Sequence, residues 1–169
     1  MYLFETFRWN KAANKYVFLF ILMISMLAFS IGSTMALPAD SIEVVAKNPE
    51  STANSIYQLK FSVSKPIPQN AMFRVTFPAE FDLSDLLIAG SATINGGFEI
   101  VVENKTVVMK RSGLGREIAA NETADLKFAI VRNPGQPADD YTIVIEILDG
   151  EEKSIFKTEK KHKILPRVE

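Results

Sequence analysis

The chain has no cysteine, one histidine (His162) and one tryptophan (Trp9). Without thiols there is no disulfide, no cysteine-ligated zinc or iron–sulfur centre and no thiol nucleophile. A lone imidazole makes a histidine-based metal site or catalytic triad hard to assemble. Neither sign of charge dominates, since 19 basic side chains face 20 acidic ones for a net charge of −1. That balance excludes a general polyanion binder, which needs surplus cations on one surface, and no nucleic-acid partner is expected. A hydrophobic content of 47% excludes a disordered chain. The 169 residues are enough for one domain of ordinary size.

The long apolar run lies near the N-terminus. Residues 17–31 read VFLFILMISMLAFSI, interrupted only by Ser25 and Ser30. Arg8, Lys11 and Lys15 precede it against Glu5, and Thr34 and Ala36 follow as a small-x-small pair. A charged flank, an apolar run and small residues at −3 and −1 describe a secretory signal peptide cleaved after Ala36. The alternative is an uncleaved membrane anchor over residues 17–37, since about 20 residues span a bilayer. A buried core helix fits less well, because the run has no polar stripe. Residues 1–36 are thus assigned to the leader and 37–169 to an exported domain, secreted or held at the cell surface. Contact with the membrane is expected only through an uncleaved N-terminal segment. The remainder carries net −3; a domain of that size buries roughly two-thirds of its unfolded surface, adequate for a core without disulfides.

Beyond Leu37 the hydrophobic period is two. Tyr57, Leu59, Phe61 and Val63 alternate with Gln58, Lys60, Ser62 and Ser64. Phe73, Val75 and Phe77 follow the same pattern, as do Phe98, Ile100 and Val102, then Ala124, Leu126, Phe128 and Ile130, then Tyr141, Ile143, Ile145 and Ile147. Such alternation is the mark of half-buried strands. With 42–46, 91–94, 106–110 and 153–162 the count reaches eight or nine, at intervals near ten residues. That spacing predicts a single all-β antiparallel sandwich. Phe61, Val63, Phe73, Val75, Phe128, Ile130, Ile143 and Ile145 are expected to face one inter-sheet core. Asn95-Gly96-Gly97 and Asp149-Gly150 supply turns whose glycines favour positive φ, and Glu103-Asn104 turns the chain between 98–102 and 106–110. Only residues 82–88 resemble a helical turn, capped by Asp82 or Ser84.

The segments Phe77-Pro78-Ala79-Glu80-Phe81, Asn95-Gly96, Asn133-Pro134 and Tyr141-Thr142, in that order along 42–148, resemble those of Ig-like sandwich modules in prokaryotic surface and S-layer-associated proteins. This resemblance implies extracellular, non-catalytic, architectural or adhesive work. It brings no catalytic residues with it.

Chemistry-bearing residues are sparse. His162 lies in Lys160-Lys161-His162-Lys163 and reads as a solvated surface residue, its protonation disfavoured by neighbouring cations. The carboxylate groups are Asp82/Asp85, Asp139/Asp140 and Asp149/Glu151/Glu152. Calcium takes about six to eight oxygens, and Asp139 and Asp140 are the candidate metal ligands, on a loop that a second loop would have to complete. No EF-hand pattern occurs. The segment 111–116, RSGLGR, lacks a P-loop or dinucleotide fingerprint and reads as a flexible glycine loop. Asn104-Lys105-Thr106 and Asn121-Glu122-Thr123 are N-glycosylation sequons, making Asn104 and Asn121 candidate acceptors. Tyr57 and Tyr141 fall on apolar strand faces and are expected in the core, with Tyr141 a candidate corner tyrosine bonded to backbone. No cofactor and no catalytic residue are expected. The composition supports a structural or protein-interaction role at the cell envelope, through an envelope protein or self-association, with a glycan- or calcium-binding extracellular module as the alternative. The lysine-rich run 153–163 is expected to form a guarded edge strand.

Overall fold

A computed structural model describes residues 37–168. The leader, its cleavage after Ala36 and the anchor alternative concern residues outside that span. The described residues form β1 (Ser41–Ala46), β2 (Asn54–Ser62), β3 (Met72–Thr76), β4 (Ile88–Gly90), β5 (Phe98–Glu103), β6 (Thr106–Arg111), β7 (Ala124–Arg132), β8 (Ala138–Leu148) and β9 (Ser154–Ile164). A four-stranded sheet in the order β1-β2-β7-β4 packs on a five-stranded sheet in the order β5-β6-β3-β8-β9. Every pairing within the two sheets is antiparallel. The described residues therefore form the expected Ig-like antiparallel β-sandwich.

The core is the inward half of the period-two pattern. Tyr57, Leu59, Phe61, Leu126 and Phe128 from one sheet meet Phe73, Val75, Met109, Ile143, Ile145 and Ile147 from the other, all fully buried. The phenylalanines of the Phe77–Phe81 segment close one end of this layer. Phe77 stands edge-on to Tyr57 at 5.3 Å between ring centroids, and Phe81 edge-on to Tyr141 at 5.3 Å. Edge-to-face aromatic pairs add to simple area burial. Tyr141 also donates its hydroxyl to the Gln136 carbonyl at 2.9 Å, the backbone-bonded corner that its sequence position predicts.

Four local expectations are corrected. Ile130 does not enter the core; it is 41% exposed, while Val131 is buried. Tyr57 pairs with Phe128 and Ser55 with Val131, so two steps in β2 face three in β7. This β-bulge adds one residue and reverses the alternation, because side-chain direction has a period of two. Residues 82–88 form turns rather than a helical turn, with the Asp82 carboxylate accepting the Ser84 amide at 3.0 Å and Leu83 and Leu86 buried beneath. The expected strand at 91–94 is a loop, and the pairing strand is β4, three residues earlier. In the β8–β9 turn Glu152, not Gly150, takes positive φ (63°). Gly150 serves close approach instead, since a Cβ there would sit 2.0 Å from Asn70 Nδ2.

Candidate functional site

The sequence candidates do not converge. Asp139 and Asp140 lie in β8 rather than on a loop, within a second bulge where three steps of β8 face two of β9. Both are exposed, and Asp139 pairs with Lys163 at 3.1 Å. Among the described residues no three His, Asp or Glu side chains come together as a metal cluster would require. Asn104 and Asn121 are exposed and hold positive φ of 54° and 62°. Asn104 sits in the two-residue hairpin between β5 and β6, where its small polar side chain tolerates the left-handed region. Tyr57 is buried and Tyr141 packs against the core. No aromatic side chain among the described residues is exposed.

His162 is corrected from surface to interior. It is 7% exposed, on the inward parity of β9 with Phe156 and Ile164, while Lys161 and Lys163 project to the other face. Its Nε2 lies 3.3 Å from the Tyr57 hydroxyl, which donates to Asn133 Oδ1 at 2.7 Å. Burial lowers the imidazole pKa, so desolvation replaces the neighbouring lysines as the cause. Burial likewise raises the Tyr57 phenol. Asn133 spends its amide on the carbonyls of Asn48 (2.9 Å) and Glu50 (2.8 Å). The Asn-Pro segment is thus a buried clamp on the β1–β2 connection. The end of β9 joins it, with Leu165 N bonded to Pro49 O and Ser51 N to Leu165 O, both at 2.8 Å.

Two further polar devices escaped the sequence reading. The loop 111–116 is pinned, not flexible. Arg111 is buried, with its guanidinium donating to Pro68 O at 2.7 Å and Arg116 O at 2.6 Å. A Cβ at Gly115 would lie 2.2 Å from Asn95 O. Burial, followed by the nearby Arg116 charge, lowers the Arg111 pKa. Asp125 organises the loop after β4, because one carboxylate oxygen accepts Ala92 N (2.9 Å), Thr93 N (3.1 Å) and the hydroxyls of Ser91 and Thr93. Burial pushes this carboxyl up, but those bonds, with Lys127, hold it below the usual carboxylate value.

What the fold does assemble is a surface at the clamped end of the four-stranded sheet. Ile56 (46% exposed), Ile88 (69%) and the bulge residue Ile130 share its outer face, with Leu87 (79%) alongside. A shallow apolar groove of about 340 Å³ runs between Ile56, Ile88 and Ala129, with Lys127 in its wall. Next to it, a polar cleft of about 390 Å³ lies between the 48–54 loop, Arg132 and Arg167. No periodicity points to this surface, since it depends on one extra residue in β7.

No family model and no curated relative matches the chain. Solved structures do. A cohesin module from a Clostridium perfringens family 33 glycoside hydrolase superposes with a TM-score of 0.51 at 16% identity, covering 78% of this chain and 100% of the module. A non-cellulosomal cohesin from Archaeoglobus fulgidus gives 0.41 at 12% identity over 72% and 90% of the two chains. A collagen-binding domain from a Staphylococcus aureus adhesin gives 0.43 at 10% over 75% and 98%. At such identities the likeness is one of fold.

Proposed function

We propose that this chain is a non-catalytic, exported β-sandwich that works by binding another protein at the cell envelope. The expelled Ile130, with Ile56 and Ile88 around it, carries the reading. Burying an isoleucine is worth roughly 1.5–3 kcal/mol, and a bulge that turns one outward forgoes part of that while re-aiming a side chain. Contiguous apolar surface next to charged groups marks contact sites. His162 is buried as a partner of the Tyr57 hydroxyl, which leaves it poorly placed to serve a substrate. The sandwich shared with a cohesin module is a scaffold suited to this role.

Export rests on the charged flank, the apolar run and the small residues before Leu37. Asn104 and Asn121, exposed in turns, are the proposed acceptors in a host that glycosylates exported sequons. Intact mass of the protein from its native host reads both: loss of residues 1–36 supports cleavage, and a membrane-bound species retaining them means an anchor. Co-sedimentation with native cell envelopes tests the binding role beside a panel of hydrolase substrates. Binding without turnover is expected; failure to bind at both low and high salt overturns the reading, as does hydrolysis abolished by one carboxylate substitution.

A further inference from the structure

The polar cleft has the make-up of a recognition site for one carboxylate. Arg132 leaves the outer face of β7 opposite Asn54 of β2. Arg167 reaches in from the C-terminal side, its Nη1 3.4 Å from the Thr52 hydroxyl. Neither guanidinium forms an ion pair among the described residues. Among the described residues Glu50 is the only carboxylate in the lining, and the charged groups described there sum to +1. Asp82 lies outside the lining, its carboxylate accepting the Ser84 amide and shared between the charges of Lys105 and Arg132.

The loop that forms the floor is already fixed. Asn133 holds the Asn48 and Glu50 carbonyls from beneath, and Thr52 N bonds Pro134 O at 2.9 Å. Thr52 sits at φ 61°, an unfavourable conformation for a β-branched residue. Strain of this kind persists where surrounding contacts over-determine it, and it gathers at binding sites. A floor ordered in advance lowers the entropy lost on binding.

Charge and spacing narrow the ligand. A surplus of +1 matches a single carboxylate, which arginine grips through paired N–H donors. A phosphate near −2 would leave net negative charge beside Glu50. Ile130 lies two residues before Arg132 on the same face, and Ile56 two residues after Asn54. Two residues of extended chain span about 6.6 Å, so a peptide lying along the strands would present alternate side chains to the cleft and to the isoleucines.

The geometry points to a partner that offers an extended segment with an Asp or Glu two positions from a branched apolar residue, the carboxylate held between Arg132 and Arg167 and the apolar side chain on Ile56 and Ile130. This rests on the interaction reading above and names the chemistry of its partner. The test uses the full chain and a fluorescent, end-capped heptapeptide with Glu and Leu two positions apart. A Gln-for-Glu version serves as control, and acetate and inorganic phosphate as competitors. The Glu peptide is expected to bind at least about tenfold tighter than the Gln peptide, with acetate the better competitor. Arg132→Gln or Arg167→Gln should erase that preference without moving the melting temperature, and Ile130→Ser should weaken both peptides alike. Equal binding of the two peptides, no binding of either, a preference that survives R132Q, or stronger competition by phosphate each overturns the assignment. Envelope co-sedimentation that persists in R132Q removes this cleft from the contact but leaves the interaction role standing. Loss of sedimentation by the unaltered chain removes the role itself.

Discussion

The two outer faces of the sandwich are built from the same alternating strands and differ in how strictly that alternation is kept. On the five-stranded sheet, register sets complementary side chains opposite one another: Glu99 faces Lys110, and Arg74 faces Glu146, which faces Lys157. The β3–β6 and β3–β8 pairings carry no register irregularity, so strict alternation holds through the centre of the sheet, and its outward apolar residues, Val101, Val108 and Val144, stand among these charged pairs. On the four-stranded sheet a single inserted residue in β7 turns Ile130 out, beside Ile56 and Ile88 and between Lys127 and Arg132. The lesson is that one residue of register decides whether an isoleucine is buried in the core or exposed on a sheet face.

The strongest way to break the comparison is through the shared core. Phe128→Ala should cost about 3–5 kcal/mol in denaturant unfolding, whereas Ile130→Ser, one turn of the pleat away, should change stability by no more than about 0.5 kcal/mol. A large loss at Ile130 would mean that the bulge does not exist in solution. Asn133→Ala comes next. It strands the Asn48 and Glu50 carbonyls and leaves the Tyr57 hydroxyl with His162 alone, and leaving buried polar groups unpaired costs about 1–3 kcal/mol. Faster amide exchange confined to residues 48–53 would locate the damage.

A third effect is set by pH. The folded-state imidazole of His162 titrates below its ordinary value because of burial. The unfolded chain therefore binds the proton first. Stability should be complete above pH about 6.5 and decline as pH falls toward the folded value. His162→Gln should flatten that part of the profile; an unchanged slope would place the titration elsewhere. The smallest effect belongs to the solvated face. The partly exposed Arg74–Glu146 pair, 3.2 Å apart, should show a coupling of about 0.5 kcal/mol or less in a double-mutant cycle, fading with salt.

Much of this architecture is legible in the sequence because burial on one side of a strand writes itself as alternation. Phe61, Val63, Phe73, Val75, Phe128, Ile143 and Ile145 all point inward as that pattern requires. Tyr141 makes its backbone bond where a residue opening a strand after a proline-rich turn would. What alternation omits is any place where the chain adds a residue or lets polar contacts override hydrophobicity. Ile130 is lost to a bulge, and 91–94 to the hydrogen bonds of Asp125. The parity of Phe156, Thr158, Lys160, His162 and Ile164 does place His162 inward, but the lysines around it hide the signal. The cleft is harder still, since Thr52, Arg132 and Arg167 are distant in sequence and meet only through the Asn133 clamp.

That clamp also governs how the domain would carry tension. β1 runs toward the clamped end and β9 runs toward it too, where Glu50 and Leu165 form a parallel bridge. The chain therefore enters the sandwich at Ser41, at the far end, and leaves at Leu165, at the near one. A pull between those two points acts along the strands. It loads the six β1–β2 residue pairs and the β8–β9 ladder together, instead of peeling them one by one. Forced unfolding is set by the barrier to the first rupture, and rows of bonds stretched in parallel raise that barrier where a zipper would not.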